Sequence, residues 1–126
     1  MKRFFVLGVL AICSFAFTDH PEATSLVAAL KQGNAMEVSR YFDDILDIKL
    51  PEKEEIRSIG KTQAGITLKN FFDEAGIRSF NETNERATEG TMYINGKLHG
   101  SSRDYNLTMM LRNKNGKFYI VTLRVN

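Results

Sequence analysis

The chain has 126 residues, 43% apolar and 25% charged, which is the size of one ordinary globular domain and too apolar, at so low a net charge, for a disordered polymer. Seventeen Lys and Arg oppose fifteen Asp and Glu, but two of the bases, Lys2 and Arg3, precede an apolar N-terminal run, and without them the balance is 15 − 15 = 0. Nothing in that balance marks a nucleic-acid partner.

After Lys2-Arg3, the stretch Phe4 to Phe17 runs for fourteen residues without a charge. A bilayer span needs about 20 apolar residues and a signal core roughly 7–15. The expectation is therefore a cleaved export signal over residues 1–18 and one domain over 19–126. The product is periplasmic or secreted and keeps no membrane span. Small residues at −3 and −1 occur in two registers, Ser14-Phe15-Ala16 and Ala16-Phe17-Thr18. Leu10-Ala11-Ile12-Cys13 partly resembles a bacterial lipoprotein signal. The bulky Ile12 stands where a small residue is needed, and the apolar run continues past Cys13, so lipid anchoring is not expected. Once Cys13 leaves with the signal, no cysteine remains for a disulfide, a metal site or a nucleophile.

Asp19 and Glu22 have the spacing of a capping box for a first helix, whose Ala23, Leu26, Val27 and Leu30 recur at helical intervals. Gly33 stops it, and Asn34 caps a short second helix with Val38, Tyr41 and Phe42 on one face. Ile45, Ile48 and Leu50 before Pro51, with Ile56 and Ile59 after it, predict a short hairpin. From Lys61 to Ala75, Ala64, Leu68, Phe71, Phe72 and Ala75 form the apolar face of a longer helix ended by Gly76.

Beyond Gly76 the pattern predicts sheet. Strands are expected near 77–85 and 91–99; Asn95-Gly96 could itself be a hairpin turn, but a bulge inside one longer strand is preferred, because four-residue pieces either side would be poor strands alone. From Arg103 to Arg112, Tyr105, Leu107, Met109 and Leu111 alternate with polar neighbours. Asn113-Lys114-Asn115-Gly116 is a turn signal. In the last strand, strict alternation puts Tyr119, Val121, Leu123 and Val125 on one side and Phe118, Ile120, Thr122 and Arg124 on the other. Charge follows the same division: residues 19–85 carry thirteen acids and eight bases, residues 86–126 two acids and seven bases.

The succession of helix, short helix, hairpin, long helix and four long strands resembles the nuclear transport factor 2-like, or cystatin-like, α+β fold. In that fold a curved antiparallel sheet wraps on three helices as a cone. The chain is also similar to an uncharacterised domain-of-unknown-function family of short exported bacterial proteins. That similarity rests on Ala29-Leu30-Lys31-Gln32-Gly33-Asn34-Ala35, Ser39-Arg40-Tyr41-Phe42, Leu68-Lys69-Asn70-Phe71-Phe72 and Asn115-Gly116-Lys117-Phe118-Tyr119-Ile120. These stretches are caps, helix faces and turns, so they carry fold rather than activity. The fold itself hosts isomerases, dehydratases, transport factors and plain binding modules.

Signatures of chemistry are sparse. Gly60-Lys61-Thr62 imitates the end of a phosphate loop, but Glu55 stands where that loop needs glycine. Asp43, Asp44 and Asp47 lack the oxygen ladder and glycine of a calcium loop and read as a solvated face. His20 and His99 are too few for a histidine metal site, and His99 reads as an exposed turn residue. Neither metal nor cofactor is expected. Asn81-Glu82-Thr83 and Asn106-Leu107-Thr108 match glycosylation acceptors, which an exported bacterial protein would not use.

Two functional readings follow. The first is a non-enzymatic module binding an apolar small molecule or a protein, with Tyr41, Phe72, Tyr93, Tyr105, Leu107 and Met109 lining the cone. The alternative, which the resemblance suggests, is an isomerase- or dehydratase-like enzyme pairing Asp44 or Asp47 with Tyr41, Tyr93 or Tyr105. A homodimer through the outer sheet face is expected as well, built on Thr108, Met110, Phe118, Ile120 and Thr122, since apolar residues on an outward face mark interfaces.

Overall fold

The computed structural model describes residues 21–126; the expected signal, Cys13, the Asp19 cap and His20 lie outside them. Helix α1 (Pro21–Lys31) opens with proline in its first turn, where the missing N–H costs nothing, and carries Glu22 at its positive end and Lys31 at its negative end. Helix α2 (Ala35–Ser39) is capped by the Asn34 side chain, which accepts the Glu37 N–H at 3.1 Å. Strands β1 (Phe42–Lys49) and β2 (Ile56–Gly60) form the short antiparallel hairpin. Helix α3 (Lys61–Ala75) follows, burying Ala64, Leu68 and Phe72. Then come β3 (Ser79–Ala87), β4 (Thr91–His99), β5 (Asp104–Lys114) and β6 (Lys117–Val125).

The six strands form one curved sheet in the order β2-β1-β6-β5-β4-β3. The expected all-antiparallel sheet is in fact mixed, because β1 and β6 pair in parallel. The chain leaves β1 for the hairpin, α3 and three strands before returning beside β1, and no tight turn joins the two. Asn115 and Gly116 both have positive φ and make the two-residue turn between β5 and β6.

One core fills the space between helices and sheet. Leu26, Leu30, Val38, Leu68 and Phe72 pack from the helical side against Met92, Ile94, Leu98, Leu107, Met109 and Leu111 from the sheet. Phe118 is 3% and Ile120 0% exposed in that same core. Their expected outward position is wrong, and the cause is a bulge in β6. Met110 pairs with Thr122 but Leu111 with Ile120, so Val121 is an extra residue. One extra residue inverts the facing of everything before it. Phe118 and Ile120 therefore point inward together with Leu123 and Val125.

A second bulge was anticipated at Asn95-Gly96 and occurs opposite it. Strand β4 runs unbroken against β5, while β3 carries the extra residue Thr83 between the pairs Glu82–Gly96 and Asn84–Asn95. Gly96 is required there. A Cβ on it would meet the Phe80 ring at 2.2 Å and the Asn81 carbonyl oxygen at 2.6 Å.

Candidate functional site

The C-terminal end of α3 is tied to the β4–β5 loop. Gly76 closes the helix in the left-handed conformation, and a Cβ there would lie 2.6 Å from Ser101 Oγ. Ser101 N–H donates to the Ala75 carbonyl at 3.0 Å, and Gly100 N–H to that of Arg103 at 3.0 Å. These bonds bring Arg103 and Tyr105 beside Phe71. The Tyr105 and Phe71 rings meet edge to face with centroids 5.2 Å apart, and the Arg103 guanidinium lies 4.4 Å from the Tyr105 centroid.

This group faces an open cleft of about 550 Å³ between α3, the β1–β2 turn and the β4–β5 loop. From α3 it receives Thr67, Asn70, Phe71 and Glu74, a stripe at i, i+3, i+4 and i+7. From the turn it receives Leu50, Pro51, Glu52 and Lys53. The cleft thus offers an aromatic step, carboxylates on two sides, two cations and hydrogen-bonding side chains. Flat apolar contact beside polar groups that could fix orientation is the make-up common to small-molecule sites.

Of the six residues expected to line a cavity, only Tyr105 reaches this cleft. Phe72, Leu107 and Met109 are core-filling and buried. Tyr41 is half-buried, packs on the core edge, and gives its carbonyl to the Ile120 N–H at 2.7 Å. Tyr93 points outward instead, opposite Met110 on β5, with Arg86 5.7 Å from its ring centroid. An interior cone lined by all six is not what the chain builds, because the helices close down on the sheet.

The carboxylates considered for an isomerase also lie elsewhere. Asp47 accepts the Ser58 N–H at 2.8 Å, stabilising the irregular β1–β2 pairing where Ser58 takes a positive φ. Asp44 is exposed on β1. Asp43 accepts from Lys114 at 2.7 Å and from the Asp44 N–H at 2.8 Å. His99, half-buried rather than fully exposed, pairs with Asp104 at 3.0 Å across β4 and β5. Among the described residues no three His, Cys, Asp or Glu side chains gather where they could hold a metal ion. No helix among them is long and apolar enough to cross a membrane.

Sequence reasoning missed Phe71 and Arg103 as site residues. Phe71 was readable only as part of the helix's apolar face, while the stripe of Thr67, Asn70 and Glu74 beside it was the available signal. Arg103 depends on the loop geometry, which no local pattern encodes.

The fold has solved counterparts. A DUF4783 family protein from Bacteroides uniformis matches with a TM-score of 0.77 at 23% identity, over 86% of this chain and 96% of its own. One from Bacteroides fragilis gives 0.74 at 24% identity, over 85% and 97%. An NTF2-like protein of unknown function from Cytophaga hutchinsonii gives 0.57 at 8% identity, over 82% and 84%. At such identities the likeness carries the nuclear transport factor 2-like fold and nothing finer. No curated protein matches the chain. A family model described as "Domain of unknown function (DUF4783)" matches residues 23–126.

Proposed function

We propose that this chain, which belongs to the DUF4783 family, is an exported, non-enzymatic binding module that takes a small amphipathic ligand in the cleft at the end of α3. The observation that carries this reading is the Phe71–Tyr105–Arg103 group facing about 550 Å³ of open cleft. A purely apolar ligand inside the cone is disfavoured, since Phe72, Leu107 and Met109 already fill it. At the cleft a flat apolar moiety would meet the aromatic step, while Glu74, Asn70 and Lys53 would select its polar groups. Export rests on Lys2-Arg3 before the uncharged Phe4–Phe17 run. N-terminal sequencing of fractionated protein should find a start near Phe17 or Asp19, and an unprocessed cytoplasmic product would refute export.

Ligand binding is tested by screening small amphipathic compounds against the isotope-labelled protein. Shifts should concentrate at Phe71, Arg103 and Tyr105 and weaken at least tenfold in affinity for Tyr105→Ala. Shifts that Tyr105→Ala leaves unchanged would reject the cleft. We further propose that the protein dimerises through the outer face of its sheet, where Met110, Thr108 and Thr122 lie.

A further inference from the structure

Four charged side chains line the cleft at the end of α3. Glu74 stands on the last turn of that helix, Arg103 on the β4–β5 loop, and Glu52 and Lys53 on the β1–β2 turn. Two are carboxylates and two are cations, yet none of the four belongs to an ion pair among the described residues. Elsewhere on the surface opposite charges do find each other, as Arg40 does Glu37 and Lys69 does Asp73.

Two of the four are fixed in place. The Arg103 guanidinium lies 4.4 Å from the Tyr105 ring centroid, and its Nε donates to the Asp104 carbonyl at 3.4 Å. Its two terminal nitrogens stay unengaged, a planar fork of donors suited to a carboxylate. Glu52 is fixed by its backbone. The Lys53 N–H donates to the Leu50 carbonyl at 3.2 Å, closing a turn with Pro51 second and Glu52 third. Glu52 has a φ of 61°, the third position of a type II turn, which ordinarily takes glycine. Its side chain has no hydrogen bond among the described residues. Nothing within the chain therefore answers for a glutamate where glycine fits better, and a carboxylate held out by a strained turn is a feature of binding sites.

We propose, resting on the ligand-binding reading of this cleft, that its ligand is a zwitterionic α-amino acid with a flat apolar side chain. The carboxylate meets Arg103, the ammonium meets Glu52, and the side chain lies on the Phe71–Tyr105 step. Lys53 and Glu74 add one further charge of each sign, so the cleft suits a ligand that is neutral overall and charged at both ends. A simple anion would face Glu52 and Glu74, and a simple cation would face Lys53 and Arg103.

The test is a chemical-shift titration of the isotope-labelled protein with phenylalanine at about pH 6, where both ligand termini are charged. N-acetylphenylalanine, which lacks the ammonium, and phenylalaninamide, which lacks the carboxylate, are titrated beside it. Phenylalanine should shift Phe71, Arg103 and Tyr105, and each blocked form should bind about fivefold more weakly. Glu52→Gly, which suits the turn and keeps the fold, should abolish the preference over N-acetylphenylalanine and retain that over phenylalaninamide. Arg103→Gln, on an exposed loop, should do the reverse. A blocked form that binds as well as phenylalanine, or a variant that leaves its own preference intact, overturns the inference. So does a cleft that takes other amphipathic compounds but not phenylalanine, an outcome in which the binding reading itself survives. A cleft that takes none of them defeats both.

Discussion

Gly96 shows how a single side chain's absence sets local structure. The Phe80 ring sits where a Cβ on Gly96 would be, its nearest carbon 2.2 Å away, and the ring is buried over that glycine. Gly96→Ala must push Phe80 or the β3 backbone aside, and overpacking of this kind costs about 1–3 kcal/mol. Chemical denaturation should record that loss, and the double variant Gly96→Ala with Phe80→Leu should recover part of it. A second residue-scale effect is electrostatic. Burial alone would raise the Asp43 carboxyl, but hydrogen bonds from Lys114 and the Asp44 N–H, with the charges of Lys114 and Arg112, outweigh it and hold it below its ordinary value. A lowered folded value stabilises above the unfolded value and is lost as pH falls through the folded one. Lys114 is half exposed, so solvent screening limits the contribution to about 0.5 kcal/mol. Lys114→Gln should remove that much at neutral pH and none of it once Asp43 is protonated in acid, as urea midpoints at the two pH values would show.

Strand β6 separates what a sequence pattern can deliver from what it cannot. The helices were legible because caps, glycines and apolar faces repeat locally: Asn34 caps α2 and Gly76 ends α3 where their chemistry dictates. The strands were legible as strands. Their facing was not, because Phe118-Tyr119-Ile120-Val121-Thr122-Leu123 contains no break in alternation, and the bulge at Val121 arises from pairing with Met110 and Leu111. The same holds for the parallel β1–β6 pair, which is fixed by return of the chain and not by any residue in either strand. Of the candidate site, Tyr105 was visible as an aromatic on an alternating strand, whereas its contact with Phe71 depends on a loop hydrogen-bonded to the end of α3. The bulge makes a ranking testable. Phe118→Ala should cost about 3–5 kcal/mol as a core truncation, while half-buried Tyr119→Ala should cost under about 1.5 kcal/mol. Thermal or urea unfolding of the two variants measures it, and the reverse order would mean that strict alternation holds after all.

At the scale of the whole molecule, the inverted facing changes which residues an association surface would use. With Phe118 and Ile120 inside, the outer face of the sheet retains Met110, Thr108 and Thr122 and gains Tyr119, Val121 and Tyr93; Ile45 on β1 is 58% exposed. The strand order β2-β1-β6-β5-β4-β3 has its midpoint between β6 and β5, where Met110 pairs with Thr122. A two-fold axis through that midpoint sets β1 of one copy against β4 of the other, with β2 against β3. Outward on β1 are Asp47 and Lys49, which pair with outward Thr122 and Arg124, and Asp43, whose charge Lys114 answers; outward on β4 and β3 are Lys97 and Arg86, which pair with outward Asn106 and Tyr93. The apolar centre thereby meets itself. A stable contact of this kind buries about 800 Å² per partner. Light scattering at micromolar concentration should therefore give about twice the mass of one mature chain. Met110→Lys, which introduces a charge at the axis twice over, should yield monomers while leaving the urea midpoint of the monomeric fold nearly unchanged. A monomeric wild type, or a Met110→Lys protein that remains dimeric, would refute the back-to-back arrangement.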